Sequence, residues 1–318
     1  MKSQRGAAIL SAMLTVVLVA TLASVALWQQ WRAVEIETAE RSRMQSAWVL
    51  TGALDWARLI LREDARKGGS DHLAEPWAVP LAQARVSTFL AADRSDALEA
   101  DASQEAFLSG RITDLQSRLN VANLAQNGKI DEPSQIAFTR LFELLNLPLN
   151  ELSSMAENLR LAQGTPGTSA SADPAGADTV TLWPQAVDQL AWVGLSAQTI
   201  AVLRPFITIL PVATPVNLNT APAEVIYACV GAFELADAQQ LVSRRNTTPL
   251  NALADASKMS DNVDAKFNAA QHSVSSNFFQ VNGELRLEQT RVQEQSVVQR
   301  QGLDVKTLWR QSGVAPLQ

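Results

Sequence analysis

Residues 7–28 form a run of 22 positions without a charged side chain. No other feature limits so sharply what this chain can become. As a helix the run would be about 33 Å long, close to the hydrocarbon thickness of a bilayer. A secretory signal has a shorter apolar stretch, roughly 7–15 residues, with a small-residue cleavage site behind it. Here a glycine stands in front: Lys2 and Arg5 lead to Gly6, and the run opens at Ala7. A cut between Gly6 and Ala7 would leave the helix on the mature chain. An uncut signal anchor has the same hydropathy, and Ser24-Val25-Ala26 would serve as a Sec-type cleavage site. Lys2 and Arg5 before the span, with Arg32 the first charge after it, favour a cytoplasmic N-terminus and an exported body.

The helical pattern does not stop at the membrane boundary. Met44, Ala47, Thr51, Leu54, Arg58 and Leu61 step by three and four, with Glu35, Glu37, Glu40, Arg41, Arg43 and Asp55 between them. The stem of Arg58 can lie along the apolar stripe. Lys67-Gly68-Gly69 ends the pattern. One helix of about 60 residues is therefore expected, apolar in its first half and amphipathic over 29–66.

Behind it, 276–287 is the clearest strand. Phe279, Val281, Gly283, Leu285 and Leu287 share one face, with Gln280, Asn282, Glu284 and Arg286 on the other. Asn282-Gly283 is a common hairpin turn, yet the alternation runs through it in register, so it reads as one strand with a bulge. The turn then falls near Glu288-Gln289, and 290–300 returns as the last strand. Short strand-like runs surround Phe107-Leu108 and Ile112, separated by Gly110.

Between these strands the pattern is helical in pieces. Phe138, Leu141, Phe142, Leu144, Leu145 and Leu147 mark one helix ended by Pro148, and 187–193 with 199–206 mark a pair. Residues 164–178, rich in Gly, Ser, Ala, Thr and Pro, read as a flexible loop. This gives an α+β fold: a long N-terminal helix packed on an antiparallel sheet, with a large all-α insertion. The expected segments are 1–6, 7–28, 29–66, an α/β domain from 67–130 and 270–318, and a helical domain at 131–269.

Composition excludes several functions. The net charge is −6, and it becomes more acidic if Lys2 and Arg5 are removed, which argues against nucleic acid as the main partner. The only cysteine, Cys229, lies in the apolar run 225–230 and reads as a core thiol. The two histidines, His72 and His272, stand in no metal-ligand spacing. No Ser/His/Asp set or Gly-rich phosphate loop points to an enzyme. Asp93, Asp96, Glu99 and Asp101 cluster, but without EF-hand spacing.

The strongest internal motif is 203–211 followed by 215–226, and it holds Asn217-Leu218-Asn219-Thr220-Ala221-Pro222-Ala223-Glu224. Asn219 or Thr220 can cap the helix that follows, Pro222 suits its first turn, and Glu224 favours its positive end. A second helix at 236–245 completes a pair similar to helix-hairpin-helix modules, many of which grip DNA phosphates. DNA uptake is thus the competing reading. Its turn, Cys229-Val230-Gly231-Ala232-Phe233-Glu234, has one glycine and an acid where phosphate binding needs exposed N–H groups and cations.

The basic hexapeptide ending in Gly6 resembles a type IV prepilin leader. That resemblance implies cleavage by prepilin peptidase between Gly6 and Ala7 and methylation of the new N-terminus, Ala7. With 72–78 (His-Leu-Ala-Glu-Pro-Trp-Ala), 110–124, 203–226 and 277–300, the chain resembles the K-type minor pseudopilins of type II secretion. Ser117 and Ala122 depart from the family pattern, which has a glycine before the Arg and a tighter Asn-Leu-Asn run. The resemblance implies a pilin-like domain with a helical insertion, no enzymatic activity and no required cofactor. It also implies the I- and J-type minor pseudopilins as partners, an inner-membrane anchor, and a periplasmic body at the pseudopilus tip, serving protein export across the outer membrane. Many pseudopilins bind calcium, so the resemblance makes Asp93, Asp96, Glu99 and Asp101 candidate ligands, while the residues by themselves read as a solvated acidic loop. Most pilins carry Glu at the fifth mature position, where it is thought to pair with a neighbour's amine; here that residue is Ser11. A carboxylate at that depth costs about 2.5–3.5 kcal/mol unless paired. A subunit that never adds beneath another has no need of it.

Overall fold

The computed structural model describes residues 5–86, 106–163, 182–287 and 290–315. Two compact units divide the chain, Met1–Ala53 and Leu54–Gln318. Helix α1 runs unbroken over Arg5–Lys67, because no proline interrupts it and its only internal glycines are Gly6 and Gly52. Gly68 and Gly69 end it with φ of 68° and 118°, backbone that a side chain would strain.

In the first unit, the large apolar side chains of α1 from Ile9 to Val25 are all exposed, as a lipid-facing span requires. Its hydroxyls do not stay unmet. Thr15, Thr21 and Ser24 donate to the carbonyls of Ala12, Leu18 and Ala20 at 2.8, 2.9 and 2.8 Å.

In the second unit the end of α1 lies on a five-stranded antiparallel sheet. Its strands, in spatial order, are β1 (Leu81–Arg85), β2 (Ala106–Asp114), β3 (Phe278–Leu287), β4 (Thr290–Gln301) and β5 (Asp304–Ala315). Leu54, Ala57 and Leu61 pack with Trp77, Ile112, Phe279, Val281, Val298 and Val305. Met44 and Ala47, expected on the buried stripe, are exposed, and Ala57 takes the place assigned to Arg58. Arg58 turns aside, its Nε donating to the Val305 carbonyl at 2.9 Å.

Three strand expectations need correction. β2 is a single strand through Gly110, which faces Gly283 across the ladder. A Cβ on Gly110 would lie 3.1 Å from the Asn282 carbonyl oxygen, so the glycine permits a close strand rather than breaking it. β3 has no bulge at Asn282-Gly283: its register with β2 and β4 is continuous, and the sheet's shifts fall at Leu81/Ala84 in the β1–β2 pair and at Val297/Val298 in the β4–β5 pair. Nor is β4 the last strand; it turns at Gly302, with φ 58°, into β5.

Between β2 and β3 stands the helical module: α2 (Glu132–Leu144), α3 (Leu149–Gln163), a 3₁₀ helix at Val187–Val193, α4 (Ala197–Leu203), α5 (Ala223–Cys229), α6 (Leu235–Thr247) and α7 (Leu253–Met259). Asp131 caps α2 through the Ser134 N–H at 3.0 Å. Phe138, Leu141, Phe142, Met155, Leu159, Leu203, Val225, Ile226, Phe233 and Leu241 meet in one core. Each such side chain contributes about 1.5–3 kcal/mol by leaving water. Leu119, Val121, Leu124 and Ala125 stand in that core too, ahead of the expected start at 131. They are held there by a parallel pairing of Leu119–Asn120 with Ile207–Thr208. The loop expected at 164–178 lies outside the described residues.

Candidate functional site: the apolar helix and a buried polar junction

Two features bear on function, one in each unit. In the first, Gly6, Ala7 and Ser11 all fall within α1. Trp28 closes the apolar run and Trp31 follows it, and the Arg32 guanidinium lies 5.6 Å from the Trp28 ring centre. Tryptophan and arginine together are the residues that settle at a lipid–water boundary.

In the second unit, polar residues from five places in the sequence converge at the end of β2, where the helical module leaves the sheet. The Asn217 side-chain N–H donates to the Asp71 carbonyl at 3.2 Å, to Asp114 Oδ2 at 3.0 Å and to Ser276 Oγ at 2.9 Å. Its own Oδ1 accepts the Asn219 N–H at 3.0 Å. Asp114 Oδ2 also accepts the hydroxyls of Thr220 at 2.5 Å and Ser276 at 2.6 Å, and Oδ1 accepts the Gln116 N–H at 2.7 Å. Asp71 accepts the Ser276 N–H at 2.7 Å and is bound by Arg300 at 2.5 Å. Arg300 also reaches Asp64 at 2.8 Å and stacks 5.0 Å from Phe279. Burying groups like these is tolerable only because each finds a partner.

Electrostatics follow from burial. Burial pushes the Asp114 carboxyl up to about 6, against the pull of Ser276, Thr220 and the Gln116 N–H. Burial raises Asp71 as well, opposed by Arg300. Asp64 is raised by burial and then by Glu75.

The motif residues are where this junction lies, but two act differently from expectation. α5 begins after Pro222 and no side chain caps it, so neither Asn219 nor Thr220 is an N-cap. Asn219 instead pairs with both backbone groups of Leu250, at 2.9 Å each, tying the chain after α6 to the motif. Thr220 ties the motif to β2. Glu224 lies in the first turn of α5. Asp71, Asp114, Ser276 and Arg300 escaped sequence reading. The one signal was Asp114 itself, an acid in the buried register of Leu108 and Ile112.

Asp64, Asp71 and Glu75 bring carboxylate oxygens within 4.8 Å of one another. They do not fit calcium, which takes six to eight oxygens, because the Arg300 guanidinium already holds two of the three acids. Asp93, Asp96, Glu99 and Asp101 lie outside the described residues. Cys229 is a core thiol pushed up to about 12 by burial, and His272 is buried with its Nε2 3.3 Å from the Cys229 carbonyl. Burial lowers the His272 pKa, which keeps the ring neutral. In the helix pair, Arg204 is engaged by Asp188, Arg244 by Asp261 at 2.7 Å, and Arg245 by the Leu218 and Ala221 carbonyls. Two of the three are thus paired with acids at the surface and the third is buried.

Comparison with known proteins agrees with this architecture. Two family models described as type II secretion system (T2SS) protein K match residues 117–212 and 216–275. The chain is 25% identical over 320 residues to type II secretion system protein K of Pseudomonas aeruginosa, covering 94% of this chain and 90% of that one. It is also similar to a chain in the crystal structure of the GspK–GspI–GspJ complex from the enterotoxigenic Escherichia coli type 2 secretion system. That match has a TM-score of 0.65 and 18% identity, and it covers 86% of this chain and 98% of the other. The first match begins at Arg118's neighbour, Ser117, where the helical module's core begins, and the second opens on the Asn217 motif. The chain belongs to the type II secretion system protein K family.

Proposed function

We propose that this protein is a non-enzymatic minor pseudopilin that sits at the tip of the type II secretion pseudopilus and is required for protein export across the outer membrane. Family membership carries this reading. Prepilin peptidase cuts between Gly6 and Ala7, Ala7 is methylated, and α1 anchors the chain in the inner membrane with its body in the periplasm. The charge-free run behind a basic leader supports that order.

Its partners are the I- and J-type minor pseudopilins, since the similar solved chain is part of a complex with GspI and GspJ. Ser11 supports a tip position, because a subunit that adds beneath no other needs no carboxylate to meet an amine. The helical module between β2 and β3 supports it again, as so broad a body does not stack in a thin filament. No cofactor is required, and nucleic acid is not a partner.

Co-expression of the full chain with I- and J-type pseudopilins, followed by detergent extraction and native mass measurement, tests the reading. A discrete complex with one copy of each is expected. Self-assembly into fibres, or labelling along a whole filament, would overturn the tip assignment.

A further inference from the structure

Among the described residues of the second unit, Arg245 and Arg300 are the two buried arginines, 4% and 8% exposed. Their surroundings differ in kind. Arg300 is neutralised by two carboxylates, Asp64 and Asp71. Arg245 has none: its guanidinium is held by the Leu218 and Ala221 carbonyl oxygens, and its Nε–H has no acceptor. Burial alone draws its pKa down to about 10, with no acid raising it again. Carbonyl oxygens satisfy hydrogen bonds, but they do not cancel a charge, and a buried cation without a counter-ion is costly.

A cavity of about 220 Å³ opens beside this charge, lined by Arg245, His72, Asn219, Asn246, Leu73 and Pro249 among others. Its polar residues can supply donors. His72 Nδ1 accepts the Ala74 N–H at 3.3 Å, which puts the neutral ring's proton on Nε2. Asn246 is exposed at the cavity and carries an amide N–H₂.

We propose that this cavity is an anion site in which Arg245, His72 and Asn246 receive one carboxylate, from a polypeptide C-terminus or an acidic side chain. A single buried guanidinium balances a single negative charge, which favours a carboxylate over a doubly charged phosphate, and its planar fork suits carboxylate geometry. The site stands independently of the tip assignment, since it rests on the second unit alone.

The test is thermal unfolding of the full chain in detergent, with sodium acetate titrated against sodium chloride at equal ionic strength. Acetate is expected to raise the melting temperature in a saturating manner, by several degrees beyond chloride. Asn246→Asp brings a carboxylate to the exposed side of the cavity. It should raise the melting temperature without any ligand and weaken the acetate response at least ten-fold. Arg245→Met, where it still melts cooperatively, should abolish the response; where it does not fold, Asn246→Asp decides. Peptides with a free or amidated end, or with an internal Asp, then separate the two sources. Equal action of acetate and chloride on the wild type, or an unchanged acetate response in Asn246→Asp, would overturn the site.

Discussion

Thr220 gives its hydroxyl proton to Asp114 Oδ2 at 2.5 Å, across 106 residues of sequence. The bond fastens the helical module to the last residue of β2. Asp114 receives four donors in all, from Thr220, Asn217, Ser276 and the Gln116 backbone. Replacing it with alanine would strand them together in a dry site. Asp114→Ala should lower stability by on the order of 3 kcal/mol, read from chemical denaturation. Thr220→Val, which removes one donor and keeps the shape, should cost about 1 kcal/mol.

The same carboxyl makes stability depend on pH. Its folded pKa of about 6 lies above the unfolded 3.8, so the folded state binds the proton more tightly between those values. The stabilisation is therefore complete below about pH 4 and is lost as pH rises through 6; at neutral pH the loss is about 3 kcal/mol. Asp64 and Asp71, also raised, act in the same sense. Melting temperature should fall between pH 4.5 and 7.5, and Asp114→Asn should flatten most of that slope. A wild-type melting temperature that climbs over this range would contradict the assignment.

Much of this architecture was legible in the sequence, and the failures share a cause. The charge-free run, the 3.6-residue stepping to Leu61 and the alternation through β3 are local patterns, and each element formed. β5 was missed because Lys306, Thr307, Leu308, Trp309 and Arg310 are exposed in succession, so no two-residue period survives in it. The junction was missed for a different reason. Asp71, Asp114, Asn217, Ser276 and Arg300 are ordinary polar residues until folding brings them together, and no spacing along the chain announces that. Asn219 and Thr220 have cap chemistry, but tertiary partners claimed their side chains first.

Leader processing should depend on Gly6. A Gly6→Val chain is expected to insert in the membrane yet keep Met1, as read by N-terminal sequencing, whereas the wild type should start at Ala7. A mature start at Leu27 would point to ordinary signal cleavage.

DNA should not bind. Arg204 and Arg244 are paired with acids, and Arg245 is buried against carbonyls. The detergent-solubilised chain should leave a labelled duplex unshifted even at low salt, where phosphate attraction is strongest. Salt-sensitive micromolar binding would restore the DNA-uptake reading.

The helical module's core should be costly to hollow out. Phe142 is fully buried in it. Phe142→Ala should destabilise by about 3–5 kcal/mol. Because α1, Trp77 and β4 form a separate cluster, Trp77 fluorescence in that variant should keep its native environment up to the main transition.

β2 and β3 are neighbours in the sheet, yet Asp114 and its partner Ser276 are 162 residues apart. Everything in the helical module is therefore synthesised before β2 can find the strand beside it. The module carries its own core and can become solid early. β2 must wait with an open edge, and Leu54 and Leu61 must wait uncovered, until the final stretch of chain is made. Closing so long a loop is slow, and an unpaired strand edge is what misassembles in the meantime. The vulnerable moment in this protein's life thus comes at the end of its synthesis, and the last strands to arrive decide whether the soluble end of the first helix is ever covered.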